Sequence, residues 1–394
     1  MKSVTVIGAS LAGLHTARAL RSQGYDGRLT IVGDERHRPY DRPPLSKGFL
    51  TGTTGQDQLA LADAEETAEL DAEWLLGTRA TRLDTGSRTV HLDTGRTLTT
   101  DGVVLATGAT PRRLPGPGSP PSGTHTLRTL EDARALRRDL TLGGSARIAV
   151  IGGGFLGAEV ASSCAALGHD VTVIEAAALP LVPQLGRGMA ELCSRLPADH
   201  GVTLLTGTGV ARLHGAGAGA DNRVTAVELT DGRLLPADVV VVGIGVRPAT
   251  DWLADSGLPL GDGVRCDAGC VTPIPAVVAV GDVANVDGTR AEHWTSATEQ
   301  AATAARNLLA GHTAAAHRAL PYFWSDQYGV RIQFAGRRLP GDTPRILEGS
   351  PDDRSFLAGY QRAGRTTAVL ALNRPRPFLR LRRELARAAQ PATA

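Results

Sequence analysis

The run Gly152-Gly153-Gly154-Phe155-Leu156-Gly157 has the spacing G-x-G-x-x-G, and that spacing suits one kind of chemistry. The first glycine allows a tight turn, the second lets backbone approach a pyrophosphate, and the third lets helix and strand pack closely. The phosphates then lie on a helix N-terminus, whose unpaired N–H groups and dipole favour anions. Glu175 follows about 20 residues later, where a carboxylate meets ribose hydroxyls. That carboxylate repels a 2′-phosphate, and Ala176-Ala177-Ala178 supplies no cation beside it. The expected nucleotide is therefore NADH rather than NADPH. A second run, Gly8-Ala9-Ser10-Leu11-Ala12-Gly13, repeats the pattern with Ser10 in place of the middle glycine. Asp34 and Glu35 would supply its ribose acid. Asp282, after Gly281, would accept from the ribityl hydroxyls of FAD, with the Ala-Thr-Gly-Ala run at 106–109 nearby.

These groups need strands ending at the turns and helices starting from them. Residues 4–7 form an apolar strand pattern, 11–21 a helical one, and 29–32 a second strand. The plan recurs at 148–151, 155–167 and 171–174. Short apolar strands alternating with amphipathic helices predict βαβ units on parallel sheets. Further strands are expected at 103–106, 239–243 and 277–280, and a helix over 292–309. A Pro/Gly-rich run at 111–123 reads as a domain crossing. After Pro321, aromatics, alternation and many arginines predict a smaller α+β domain. The expected fold class is α/β: two Rossmann-like nucleotide-binding domains plus a small α+β C-terminal domain. The expected division is 1–111 with 242–318 for FAD, 112–241 for NAD and 319–394 for the C-terminal domain.

Composition removes other classes. The formal net charge of +2 gives no global field for nucleic acid or membrane. No apolar run approaches the roughly 20 residues of a spanning helix, and no signal-peptide pattern opens the chain, so a cytoplasmic location is expected. The four cysteines are too scattered for a disulfide scaffold. Cys164 and Cys193 fall in helical patterns; Cys266 and Cys270 are close in sequence, as a disulfide or metal pair would be, but no second pair completes a metal site. Lys2 and Lys47 are the only lysines, which singles out Lys47.

With these motifs in place, the chain resembles the NADH-dependent, FAD-containing ferredoxin reductases of the glutathione-reductase fold. The matching segments include Pro39-Tyr40-Asp41-Arg42-Pro43-Pro44-Leu45-Ser46-Lys47, Leu127-Arg128-Thr129-Leu130-Glu131-Asp132-Ala133 and Phe323-Trp324-Ser325-Asp326-Gln327-Tyr328, besides both glycine turns. The resemblance implies that Ala12, Asp34, Arg128 and Asp282 contact FAD, with Lys47 and Trp294 near the flavin ring. Glu159 matches an acid on the nicotinamide side that pairs with the lysine, so Lys47 and Glu159 form the candidate catalytic pair. Trp324 matches a segment that meets the ferredoxin. The full expected FAD set is Gly8, Ser10, Ala12, Gly13, Asp34, Glu35, Arg42, Lys47, Ala80, Thr107, Gly108, Arg128, Asp282 and Trp294. The NAD set is Gly152, Gly154, Phe155, Leu156, Gly157, Glu175 and Gly245.

The implied activity is NADH:ferredoxin oxidoreduction, serving a cytochrome P450 or a Rieske-type ring-hydroxylating oxygenase through a [2Fe–2S] ferredoxin. A compact ammonium near the flavin would favour its electron-rich reduced form. Disulfide reductases of this fold carry cysteines in the region matching 40–50, where this chain has none. Thiol chemistry at the flavin is therefore not expected. Two alternatives stay open: a reductase for rubredoxin or another carrier, and an NADH-responsive redox sensor like apoptosis-inducing factor. The arginines of the C-terminal region suit either an acidic partner or plain solvation.

Overall fold

The β-branched runs Ser3–Ile7 and Gly102–Leu105 are buried almost throughout, as strands covered on both faces must be. In the computed structural model they lie side by side in a five-stranded parallel sheet. Its order is Val277–Ala279, Gly102–Leu105, Ser3–Ile7, Arg28–Gly33, Ala72–Leu76. The structure describes all residues except 117, 118, 218, 220, 221, 319 and 390–394. The first helix, Leu11–Ser22, starts from the glycine turn and packs against helix Trp294–Ala310.

A second five-stranded parallel sheet repeats the plan, in the order Thr203–Thr206, Asp170–Glu175, Arg147–Ile151, Val239–Val242, Thr124–His125. Helix Phe155–Ala166 starts from its glycine turn. The two units agree in detail. Gly8 N donates to Val32 O at 2.7 Å, and Gly152 N donates to Ile174 O at 2.8 Å. Between the units, Ala109–Pro111 and Val246–Pro248 pair antiparallel. The Gly-rich stretch expected to be a loop lies between strands Val210–Ala216 and Arg223–Leu229, with part of it outside the described residues.

The C-terminal part is a five-stranded antiparallel sheet, ordered Tyr322–Gln327, Val330–Gly336, Arg365–Leu372, Ser355–Arg362, Thr343–Ser350. Helix Pro375–Ala389 closes one face by inserting Phe378, fully buried, with Leu381 and Leu385 beside it. One apolar cluster joins the parts around the site. It contains Leu45 and Phe49, then Val160, Ala161 and Cys164, then Phe334, Phe356 and Leu370. Helix Phe155–Ala166 is thus packed between the 45–50 segment and the C-terminal sheet. Among the described residues, no helix is long and apolar enough to cross a membrane.

Candidate functional site

The glycine turns are tight for a physical reason. Gly8 has φ +122°, and a Cβ there would lie 2.1 Å from Ala106 O; one at Gly13 would lie 1.9 Å from Gly8 O. Gly152 (φ +105°) would place a Cβ 2.3 Å from Gly243 O, and Gly157 one 2.0 Å from Gly152 O. The outer glycines are therefore required by the fold itself. The middle position differs. A Cβ at Gly154 meets nothing within 4 Å, so the protein leaves open the space where a pyrophosphate approaches. Ser10 fills the corresponding position, and its Oγ accepts from Arg42 Nε at 3.3 Å.

A cavity of about 330 Å³ opens where the first sheet, the second glycine turn and the C-terminal sheet converge. Of the expected FAD residues, Ser10, Ala12, Arg42, Lys47, Thr107, Gly108, Arg128, Asp282 and Trp294 line it. Leu156, Glu159 and Trp324 line it as well. Asp282 stands on the turn after strand Val277–Ala279 and accepts from Arg128 Nη2 at 3.0 Å. Arg128 immediately precedes Thr129, whose hydroxyl caps helix Leu130–Thr141. Gly108, at φ +69°, makes room for that guanidinium, since a Cβ would sit 3.0 Å from Arg128 Nη2. Trp294 Nε1 donates to Asp41 Oδ1 at 2.9 Å. Burial raises the Asp41 carboxyl above its ordinary value, against the opposing effects of that bond and the Lys47 charge.

Lys47 and Glu159 meet, although 112 residues separate them: Lys47 Nζ donates to Glu159 Oε2 at 2.7 Å. The side chains are 20% and 8% exposed. Two residues the motifs did not single out complete the contact. Ser46 Oγ donates to Glu159 Oε2 at 2.6 Å, and Ser325 Oγ donates to Glu159 Oε1 at 2.7 Å. On the same helical face, Ser163 Oγ donates to Ser46 O at 2.6 Å and Ser162 Oγ accepts from Tyr328 N at 2.7 Å. Residues 159, 162 and 163 have the i, i+3, i+4 spacing of one helix face. That face joins Pro-Pro-Leu-Ser-Lys to Trp-Ser-Asp-Gln-Tyr. The inward turn of Ser325 and Gln327 follows from strand alternation, a signal present in the sequence beside Trp324.

Other expected residues stand away from the cavity. Asp34 is exposed, with Arg79 Nη2 at 3.9 Å. Glu35 accepts from Arg42 Nη2 at 2.7 Å and from the Tyr40 hydroxyl at 2.5 Å. Ala80 is buried in strand Ala80–Asp84, opposite Leu92, and Gly8 and Gly13 do not line the cavity. In the second unit, Glu175 Oε2 accepts from Gly153 N at 2.7 Å and Oε1 from Ala177 N at 2.8 Å. Gly152, Gly154 and Gly157 form the turn beneath it. Phe155 packs against Phe323, ring centroids 4.9 Å apart. Gly245 has φ +93° and its carbonyl accepts from Arg112 N at 2.9 Å.

The residues fit a flavin dinucleotide. Ser10 and Ala12 of the first turn line an open cavity, and a cation, Arg42, and a carboxylate, Asp282, face it. His293, which also lines the cavity, has a buried Nδ1 without a partner among the described residues. Its pKa is lowered by burial, with Asp282 opposing. Trp324 lies 6.3 Å from Trp294 and stacks on Tyr322 at 5.8 Å, and the Arg382 guanidinium covers Tyr322 at 4.0 Å. Cys266 and Cys270 are free thiols, both pushed up by burial, Cys266 to about 12.

Comparison with known proteins agrees with this geometry. Residues 2–301 match the family described as pyridine nucleotide-disulphide oxidoreductase, and residues 322–394 match the reductase C-terminal family. The chain is 38% identical to the ferredoxin reductase component of chlorobenzene dioxygenase from Cupriavidus sp. (strain PS12), over 95% of this chain and 90% of that protein. It superposes on putidaredoxin reductase, solved in covalent complex with putidaredoxin, with a TM-score of 0.91 and 33% identity, covering 98% of this chain and 93% of that one. The ferredoxin reductase for the CYP199A2 system of Rhodopseudomonas palustris gives a TM-score of 0.89 and 32% identity, with coverage of 96% and 93%. The chain therefore belongs to the pyridine nucleotide-disulphide oxidoreductase family, in the branch of the ferredoxin reductases that carry the reductase C-terminal domain.

Proposed function

We propose that this chain is an NADH:ferredoxin oxidoreductase that passes electrons through FAD to a [2Fe–2S] ferredoxin. That carrier would serve a cytochrome P450 or a ring-hydroxylating oxygenase. The observation that carries the reading is the Lys47–Glu159 pair, which brings the flavin-side segment and the helix of the second glycine turn together in one cavity. Bound FAD supplies the conversion of a hydride, a two-electron donor, into single electrons.

The chain's own residues bind and orient. Arg42 and Ser10 hold the pyrophosphate, Asp282 accepts from the ribityl chain, and Lys47 places a cation beside the ring. Glu175 accepts from the NADH ribose, and Phe155 with Glu159 stands on the nicotinamide side. Catalysis in this reading is positioning, since no general acid is required. Trp324, stacked with Tyr322 under Arg382, gives the carrier an aromatic and basic approach to the ring edge. The division of the chain into 1–111 with 242–318, 112–241 and 319–394, and a cytoplasmic location, belong to the same proposal.

The test is NADH-dependent cytochrome c reduction by the purified protein, with and without small bacterial [2Fe–2S] ferredoxins. Strong stimulation by a ferredoxin is the expected result. Rapid flavin reduction without stimulation by any ferredoxin would move the reading to another carrier. Slow flavin reduction would move it to a sensor.

A further inference from the structure

We propose that Ser325, on the C-terminal sheet, is a positioning residue for the Lys47–Glu159 pair, so that the sheet forms part of the hydride-accepting site as well as a surface for a carrier. The inference rests on the reading that flavin occupies the cavity beside Lys47. Glu159 is buried, and its two oxygens are used unequally. Oε2 accepts from Lys47 and Ser46, whereas Oε1 has Ser325 as its single donor among the described residues.

The direction of that bond is set by its neighbour. Gln327 Nε2 donates to Ser325 Oγ at 3.1 Å, which occupies an acceptor site on the hydroxyl and leaves its proton for Glu159. Ser325 is fully buried, and pairing with Ile332 fixes its backbone. The donor therefore has no freedom to leave. A buried carboxylate oxygen stripped of its donor either takes a proton or rotates away. In both cases the ammonium of Lys47 loses its partner geometry. Ser325 would thus act on the flavin through Glu159 and Lys47 without touching it.

Arg128, Asp282 and Glu292 line the same cavity as Glu159. From segment 41–47, Lys47 faces Glu159, with Asp41 and Arg42 farther along the same cavity wall. On its own helix, the Cys164 thiol is pushed up to about 12 by burial. On strand Tyr322–Gln327, Asp326 turns outward, with Arg331 at 3.8 Å. His293 lies across the cavity, with its pKa lowered. Asp41 and His293 titrate in the same cavity, so the Glu159→Gln background is what separates a proton-linked change at Glu159 from one at either of them.

The experiment compares flavin-loaded wild type with Ser325→Ala, Ser325→Thr, Glu159→Gln and the double variant Ser325→Ala/Glu159→Gln. FAD affinity is read by fluorescence, the oxidised flavin absorption band is followed against pH, and NADH-driven flavin reduction is timed in a stopped flow. Ser325→Ala should keep FAD affinity, acquire a pH-dependent step in the absorption band, and be reduced roughly tenfold more slowly, the effect of one lost hydrogen bond to a charged group. Threonine should restore wild-type behaviour. In the Glu159→Gln background the alanine should produce no pH step and little further slowing. Should Ser325→Ala fail to fold, Gln327→Met reads the same chain and should show the same step in weaker form. Independent, additive effects of Ser325 and Glu159, or a band and rate unchanged in these variants, would overturn the inference. Failure of wild type to bind FAD or to be reduced by NADH would instead overturn the proposed function.

Discussion

Replacing Lys47 by methionine keeps the aliphatic stem and removes the charge, which isolates the ion pair. Its partner carboxylate is 8% exposed, and Lys47 is 20% exposed, so the pair is screened little by solvent. Removing one member of a buried pair costs about 3–5 kcal/mol, because the other charge stays buried without compensation. Ser46 and Ser325 still donate to Glu159, so the lower end, about 3 kcal/mol, is expected. Glu159→Gln should cost less, since it leaves no buried anion and Lys47 retains Pro43 O at 3.0 Å. The double variant should recover part of the Lys47→Met loss. Denaturant titration at one fixed excess of FAD measures all four proteins, and a stopped flow reports slower reduction by NADH in Lys47→Met. A double variant no more stable than Lys47→Met would refute the buried-pair argument.

The two glycines of the second turn should behave differently. Gly152→Ala forces a Cβ to 2.3 Å from Gly243 O and should give misfolded protein, whereas Gly154→Ala meets open space and should melt near wild type, any penalty falling on NADH affinity. Thermal melting and NADH titration separate the two. Glu175→Ala should raise KM for NADH by on the order of 10–100-fold, the loss of one hydrogen bond to a charged group, and should raise KM for NADPH much less. Equal losses for the two nucleotides in steady-state assays would contradict the ribose role. Trp324→Ala should lower carrier reduction by a larger factor than NADH-driven flavin reduction, and carrier reduction should fall with added salt. Cytochrome c reduction across a salt series reads the carrier step, and a stopped flow reads flavin reduction.

Much of this site could be read before the structure, for a physical reason. Glycine turns, β-branched strands and the acids after them are local signals, and each is confined within one βαβ unit. The pairing of Lys47 with Glu159 was expected only through the family resemblance, since its partners stand 112 residues apart. Ser46 carried no signal of its own, and for Ser325 strand alternation gave the face but not the partner. A serine is neutral in pattern, and its value here lies in which carboxylate it reaches, 113 and 166 residues away respectively. His293 reads in the sequence as an ordinary surface or helix histidine, and only the structure shows its Nδ1 buried and without a partner among the described residues.

Under the proposed assignment, the two nucleotide units differ in the way a retained and an exchanging cofactor would require. In the second unit Glu175 directly follows Ile174 and accepts from Gly153 N, so acid and turn form one small, self-contained grip. In the first unit the residue after Val32 is Gly33, and a side chain there would lie 2.5 Å from the Ala9 methyl. The expected acids therefore come later, at Asp34 and Glu35, and Glu35 is tied through Arg42 to Ser10 and through Tyr40 to the amide of Leu130. Arg42 also donates to the carbonyl of Arg128, whose guanidinium holds Asp282. The first site is therefore a network that draws on four segments distant in sequence, while the second rests on one turn and one strand end. Ordering a network once suits a cofactor that stays, and a local grip suits a dinucleotide that must leave after each hydride.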